Sequence, residues 1–370
     1  MTLAATTGFG LEGVLKNEIL LSGREILHVE PGFVIFSGTE EDLYYFNASL
    51  RTADRVFMVL KEFRAVSFDE LFDQVRSYPF EEIMPERARV DVKANSFKST
   101  LYSTQNIQRI TKKAIASRFS SIYGISTMEE SGHSYPITVK FHNDQVTMLL
   151  DTTGEPLFKR GYRIQGRVAP IRENMAAALV LLSRYFGKGV FVDPMCGSGT
   201  IAIEAAMIAR DMAPGLHRKF LFESWRKYDH STQREELLSK IKKDIDFPIY
   251  ASDRSDDAIF LAGRNAEQAG VFQDIIFKHQ DLEQLSLTET GGTLVTNAPY
   301  GARMGSEEEL RELGATLVSK VLSLETYRLG LLLGDADFAK KHKRRPQKIR
   351  RLNNGQLRTF YYQYEPIKRW

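Results

Sequence analysis

Val190-Phe-Val-Asp-Pro-Met-Cys-Gly-Ser-Gly-Thr200 is the stretch whose reading decides the fold. Val190–Asp193 is a short apolar run ending in an acid, the pattern of a buried strand. Pro194 stops it, and Gly197 and Gly199 allow a tight turn with close backbone approach. Residues 200–210 are then apolar enough for a buried helix. Strand, glycine turn and helix make the first unit of a doubly wound parallel sheet, whose ligands sit outside the carboxyl ends of the strands.

Working outward, the alternation continues. Upstream, residues 174–185 read as a helix. Downstream, Ile249–Asp253 reads as a strand, 256–269 as a helix, 274–278 and 293–297 as strands, 307–323 as a helix and 328–333 as a strand. Residues 347–352 and 358–364 flank Asn353-Asn354-Gly355, and Asn-Gly between two strand patterns predicts a hairpin. The sheet therefore closes with an antiparallel pair. Residues 211–246, with Trp225 and a helical stretch near 235–245, are longer than a crossover needs and read as an insert above the sheet.

Before residue 171 the pattern is different. Residues 1–60 read as a small α+β unit: a strand at 2–6, a helix through Leu11, Leu15, Ile19 and Leu20, and a strand at 32–38. Residues 61–153 read as a second α+β unit, with a strand at 89–94 and an amphipathic helix at 104–119. Strands at 136–142 and 145–151 are joined there by Asn143-Asp144. Residues 154–170, rich in Gly, Pro and Arg, read as a linker, and 171–370 as the sheet domain.

The composition narrows the class. A chain of 370 residues suggests two or three domains, and 43% hydrophobic residues supply cores. A net charge of +3 points only weakly to nucleic acid. A single cysteine excludes a disulfide framework and a cysteine-rich zinc site, and the seven histidines show no ligand spacing, so no metal is expected. The start of the chain lacks a basic leader, and no apolar run reaches the roughly 18 residues of a membrane span. The expectation is a cytoplasmic protein that makes no use of a membrane.

Asp193, Pro194, Cys196, Gly197, Ser198, Gly199 and Thr200 build a nest for a charged ligand, with the free N–H groups of the following helix turned toward it. A dinucleotide site is disfavoured because Ala202 stands where its third glycine belongs. Asp253 ends the next strand, where a carboxylate can accept from ribose hydroxyls, and Asp281 follows the third, within reach of an adenine amino group; each could equally be a helix cap. The fit is to S-adenosyl-L-methionine (AdoMet). Cys196 packs within the turn and is no nucleophile.

About a hundred residues later stands Asn297-Ala298-Pro299-Tyr300. At the end of a strand, the Asn297 side chain and the Ala298 carbonyl can each accept a hydrogen bond from an exocyclic amino group, and Tyr300 can stack on the ring that carries it. The two segments in this order point to in-line methyl transfer onto a base amino group, with the rate coming from positioning and electrostatics. The base must be unpaired or flipped. Methylation of carbon through a covalent adduct would need a free cysteine nucleophile.

The chain resembles the class I RNA methyltransferases that carry a THUMP domain and make N2-methylguanosine, in particular the bacterial group acting on 23S ribosomal RNA. Phe158-Lys-Arg-Gly-Tyr-Arg163, Ala169-Pro-Ile-Arg-Glu-Asn-Met-Ala-Ala-Ala178, the 193–200 turn and Asn353-Asn-Gly355 carry the resemblance, which covers nearly the whole chain. It implies a ferredoxin-like unit, a THUMP unit that grips RNA, and a Rossmann-like catalytic domain. The chain departs from the family in having Ala298 where proline is usual, which keeps the carbonyl and loses a fixed φ. It also has Leu357-Arg358-Thr359 where a cysteine is usual.

Candidate RNA contacts are Lys93, Lys98, Tyr102, Arg109, Lys112 and Lys113 in the second unit, Arg163 and Arg167 in the linker, and Lys343, Arg344 and Arg345 in a run free of acids. A basic run at a sheet edge also deters edge-to-edge pairing. The expected activity is transfer to guanine N2 in RNA: 23S ribosomal RNA or a ribosomal precursor, with transfer RNA also open. The rivals are an N6-adenine DNA methyltransferase and a non-catalytic RNA-binding assembly factor, with a nicotinamide dehydrogenase more distant.

Overall fold

The computed structural model describes residues 1–164, 171–225, 230–299, 307–354 and 357–368. The amino-terminal elements are β1 (Thr2–Thr7), α1 (Glu12–Leu21), β2 (Ile26–Glu30), β3 (Phe33–Ser37), α2 (Asp42–Ser49), β4 (Ala53–Arg64), α3 (Phe68–Arg76), β5 (Val92–Phe97), α4 (Thr104–Tyr123), β6 (Ile137–His142) and β7 (Gln145–Asp151). Their strands form one sheet in the order β2-β3-β1-β4-β7-β6-β5, antiparallel except for the pair β5 and β6. β4 joins the two expected units: it pairs with β1 (Leu3↔Met58) on one side and with β7 (Phe57↔Asp151 to Arg64↔Gln145) on the other. The sheet is therefore continuous across residue 60. Asn143 and Asp144 have φ of 51° and 61°, the left-handed turn that these two residue types tolerate without glycine.

The second half comprises α5 (Glu173–Leu182), β8 (Val190–Asp193), α6 (Thr200–Ala209), α7 (Ser231–Ser239), β9 (Ile249–Asp253), α8 (Asp256–Gln268), β10 (Ile275–His279), β11 (Gly292–Asn297), α9 (Glu307–Thr316), β12 (Tyr327–Leu333), β13 (Lys348–Asn354) and β14 (Leu357–Tyr364). The order is β10-β9-β8-β11-β12-β14-β13, parallel through β12 and antiparallel in the last two strands. The chain steps outward from β8 to β10 and returns to β11 on the other side of β8, so the strand order reverses there and a crevice opens at the carboxyl ends of β8 and β11.

Every residue of α6 is buried, and α5 is buried along eight of its ten positions. A helix that is apolar all round must be covered all round, and these two contribute to one core that also takes in Leu15, Phe46 and Val56 of the amino-terminal sheet. Asn47 donates to Thr152, Gly215 N–H donates to the Ala48 carbonyl, and Asn174 donates to Asp54, so the halves are sewn together by buried polar contacts as well.

Three element boundaries differ from the sequence reading. The strand expected at 89–94 starts at Val92, with Arg89 making only an isolated bridge to Ser134. The insert helix lies at Ser231–Ser239. The helix expected to run to residue 323 becomes a π turn at Leu317–Val321.

Candidate active site

The glycine turn is held by its neighbours. Cys196 N–H donates to the Ser252 carbonyl at 2.9 Å, Gly197 N–H to Asp253 Oδ2 at 2.9 Å, and Gly199 N–H to the Cys196 carbonyl at 2.8 Å. Gly197 and Gly199 have φ of 53° and 80°. A Cβ on Gly199 would lie 2.9 Å from Ala262 Cβ on α8, so this glycine also sets the packing of two helices. At Gly197 an added Cβ would meet nothing within 4 Å, because the turn opens there onto the crevice. The Ser198 and Thr200 hydroxyls are 3.3 Å apart.

Asp253 does more than end β9. Its second oxygen accepts from Ser255 N–H at 3.0 Å, so its carboxylate ties the glycine turn to the start of α8 and presents its remaining lone pairs to the crevice. Asp281 is the cap of a single 3-10 turn (Leu282–Gln284) and accepts from Glu283 N–H at 2.9 Å. The helix-cap reading of this residue thus holds alongside the ligand reading.

At the carboxyl ends of β8 and β11 a group of buried acceptors has no protein partner. Asp193 is 1% exposed, and neither of its oxygens makes a hydrogen bond; Thr296 Oγ1 and Asn297 Oδ1 are equally buried and unpaired. A buried polar group without a partner is expensive, so such a cluster marks a place built for a ligand. Burial pushes the Asp193 carboxyl up to about 7; the Thr296 hydroxyl and Met195 amide oppose the shift, and the Asp253 charge adds to it. Burial likewise holds the Cys196 thiol well above its usual range, followed by the charges of Asp193 and Asp253, so Cys196 is a packing residue.

These features fit AdoMet. A cationic ligand satisfies Asp193, the open face of Gly197 admits it, and the Asp253 lone pairs suit hydroxyls. Ala298 is buried and donates its N–H to the Leu332 carbonyl at 3.2 Å, fixing the peptide that follows Asn297. A cavity of about 690 Å³ opens beside Ala298 and Pro299, walled by Leu333, Gly334, Phe338 and His342. Tyr300 lies outside the described residues.

Several residues that position the turn carry no motif. Asn265, buried on α8, donates to the Ser198 carbonyl at 2.9 Å and accepts from Ile164 N–H at 2.9 Å. Glu204, 0% exposed in α6, takes the Tyr162 hydroxyl at 3.1 Å and Arg160 Nε at 3.4 Å, while Arg160 also donates to the Leu157 and Arg51 carbonyls. Arg163, expected to bind RNA, donates to the Ile171 carbonyl at 2.8 Å and the Thr200 hydroxyl at 3.3 Å and lies 3.2 Å from Glu173. It is a strut of the glycine turn instead of a free cation. Residues 160–164 thus dock the linker onto α6 and α8; Arg167 falls outside the described residues.

The other expected RNA contacts divide. Lys93, Lys98 and Tyr102 are exposed. Lys112 pairs with Glu130, Lys113 lies over the Phe72 ring, and Arg109 reaches Asn106 at 3.5 Å. In the carboxyl-terminal run Arg344 donates to the carbonyls of Leu322, Leu324 and Glu365, which corrects its assignment: it is a tether for the chain ends. Arg345 donates to the Ala339 carbonyl, whereas Lys343 is exposed. Lys340 and Lys341, in a run without acids of its own, pair with Asp337 and Asp335 just upstream.

Comparison with known proteins follows the same division of the chain. Residues 160–363 match the RMKL-like methyltransferase domain, 2–57 the RlmL ferredoxin-like domain and 65–151 the THUMP domain. The chain is 37% identical over 368 residues to "Putative RNA methyltransferase YpsC" of Bacillus subtilis, covering 98% of this chain and 95% of that protein. It is 33% identical over 375 residues to the ribosomal RNA large subunit methyltransferase K/L of Syntrophotalea carbinolica. That match covers 95% of this chain but 52% of the relative, so the chain spans about half the length of the K/L protein. The crystal structure of SMU.472 complexed with SAH superposes with a TM-score of 0.92 at 36% identity, covering 99% of this chain and 98% of that one. Among the described residues no helix is long and apolar enough to cross a membrane, and no group of acids, histidines and cysteine has metal-holding geometry.

Proposed function

We propose a function on the premise that this chain belongs to the RMKL-like methyltransferase family, in which the catalytic domain follows an RlmL ferredoxin-like and a THUMP domain. It is an AdoMet-dependent RNA methyltransferase that methylates the exocyclic N2 of a guanine in large-subunit ribosomal RNA. The observation that carries this reading is the cluster of buried, unpaired acceptors at Asp193, Thr296 and Asn297.

AdoMet, when bound, supplies a methyl group on a sulfonium and departs as a neutral thioether. The protein's part is placement. Asp193 faces the cofactor's positive charge, and the turn at 196–199 with Asp253 holds its polar end and hydroxyls. Asn297 Oδ1 and the Ala298 carbonyl each take one hydrogen from the amino group, which turns the nitrogen lone pair toward the methyl. Tyr300 stacks on the base, and the proton released after transfer goes to water. Alanine at 298 preserves the acceptor, and its N–H bond to Leu332 restores part of the rigidity that proline would give.

The same acceptors would serve adenine N6. The THUMP domain favours RNA over DNA as the polymer, and the relatives named for RNA lean the same way. The deciding experiment incubates the protein with methyl-labelled AdoMet and unmodified ribosomal RNA, transfer RNA or DNA, then identifies the labelled nucleoside by mass spectrometry. N2-methylguanosine from ribosomal RNA is the expected product. The same nucleoside from transfer RNA would move the substrate, and N6-methyladenine from DNA would overturn the reading.

A further inference from the structure

The most exposed aromatic groups of the amino-terminal sheet flank one short loop. Phe97 ends β5, at the edge of the sheet, and is 60% exposed; Tyr102 follows the loop and is 82% exposed. β5 turns Ala94 into the core beneath α4, so Lys93, Asn95 and Phe97 share its outward, solvent-facing side. Apolar rings of this size are normally withdrawn from water, and a rigid segment that displays two of them has a binding role as its simplest explanation.

The segment is rigid. Ser96 Oγ donates to the Leu101 carbonyl at 2.6 Å, which ties together the chain neighbours of the two aromatics. Ser99 Oγ donates to the Phe97 carbonyl at 3.1 Å and accepts from Asp144 N–H at 3.0 Å, and Thr100 N–H donates to Asp144 Oδ1 at 2.6 Å. Lys98 is held at φ 48°, a strained conformation for a residue with a side chain, and its ammonium stands 5.4 Å from the Phe97 ring centre. Lys93 and Lys98 have no carboxylate partner among the described residues.

We propose that this loop is a stacking clamp for an unpaired nucleotide of RNA, with Phe97 and Tyr102 offering ring faces and Lys93 and Lys98 meeting the adjoining phosphates. The assignment rests on the RNA reading above and adds where, and in what form, the strand is gripped. Rings interleaved with unpaired cations suit a polyanion that carries π faces. A protein partner would be met by an apolar rim, whereas the loop's own rim is Asn95, Ser99 and Thr100. Duplex RNA hides its base faces, so the fitting form is unpaired.

The test uses the full chain and fluorescence anisotropy with labelled oligoadenylate, alone and annealed to oligouridylate. Phe97→Ala and Tyr102→Ala are each expected to weaken single-strand binding by about tenfold, with the slope of log Kd against log salt unchanged. Lys93→Ala with Lys98→Ala should flatten that slope by about one unit. Phe97→Trp should keep the affinity, and its emission should be quenched by the strand; Phe97→Leu should bind like Phe97→Ala. Both aromatics are exposed, so loss of folding is not expected, and circular dichroism checks it. Wild-type binding indifferent to both aromatics would overturn the clamp alone and hand the loop to a protein partner. Equal losses on the duplex would overturn the unpaired form. A wild-type chain that bound no RNA would overturn the clamp together with the reading beneath it.

Discussion

Asp193 and Asn297 sit at the carboxyl ends of neighbouring strands with unsatisfied oxygens, yet their proposed roles separate cleanly. Asn297→Ala removes an acceptor for the target amino group and nothing that the cofactor needs. Methyl transfer should fall at least a hundredfold by the scale of lost transition-state hydrogen bonds, while affinity for S-adenosylhomocysteine by calorimetry stays within about twofold, below ~0.5 kcal/mol. Equal loss of both would place Asn297 on the cofactor. Asp193 carries a pH dependence with a definite sign. Its carboxyl is pushed up to about 7 against an ordinary 3.8, so the ligand-free fold holds a proton that the unfolded chain releases. Stability from this group therefore declines as pH rises from about 4 to 7 and is level above that. A cationic ligand reverses the preference and requires the carboxylate. Affinity for S-adenosylhomocysteine, whose ammonium stands in for that of AdoMet, should rise with pH up to about 7 and then level off. Asp193→Asn should flatten the profile; an unchanged profile would assign the titration to another group.

At the scale of elements, what the sequence disclosed and what it concealed have different physical causes. The strands β8 to β12 are apolar throughout or end at marked residues, and a parallel sheet covered on both faces writes itself as such runs. The glycine turn was legible because only glycine reaches φ of 80° at such close helix packing. β4 was hidden: Asp54, Arg55, Lys61, Glu62 and Arg64 interrupt its alternation, and its register shifts beside Val59. Asn265 and Glu204 were hidden because their partners come from the turn and the linker, far along the chain. The basic run was half-legible. Its charge could be counted, but the carbonyls that Arg344 holds lie about twenty residues away on either side. Arg344→Ala should thus lower unfolding free energy by about 1–3 kcal/mol, the range for stranded buried polar groups, and leave RNA affinity nearly unchanged. Lys343→Ala should do the opposite, lowering RNA affinity and its salt slope without shifting the denaturation midpoint. Urea titration beside RNA binding at several salt concentrations separates the two, and the reverse pattern would restore Arg344 as an RNA contact.

At the scale of the whole molecule, the question is whether the RNA-gripping sheet and the catalytic sheet behave as one body. The insert between α6 and α7 is where they meet: Trp225 is buried, stacks on Tyr135 with ring centres 4.7 Å apart and planes 10° apart, and donates its indole N–H to the Ser134 carbonyl at 3.1 Å. Phe220 meets the Tyr44 ring edge-on, and the His230 ring stacks on Tyr44 at 4.8 Å. The alanine-rich α5 and α6 lie in a core shared with the amino-terminal sheet, so neither half can expose its inner face without losing burial on both sides. Such an interface resembles a domain core more than a hinge. The expectation is one cooperative unfolding transition. Trp225 can report on the interface directly, because the only other tryptophan, Trp370, is at the chain end and can be silenced as Trp370→Phe. In that background the indole emission and the far-ultraviolet ellipticity should change at the same urea concentration. Emission that shifted first would mean that the interface opens while both sheets remain folded, and a target base gripped by the amino-terminal sheet could then not be held in fixed relation to Asn297. Coincident transitions would make the distance from clamp to crevice a constant of the fold, and the spacing between the gripped and the methylated nucleotide a property that the RNA must match.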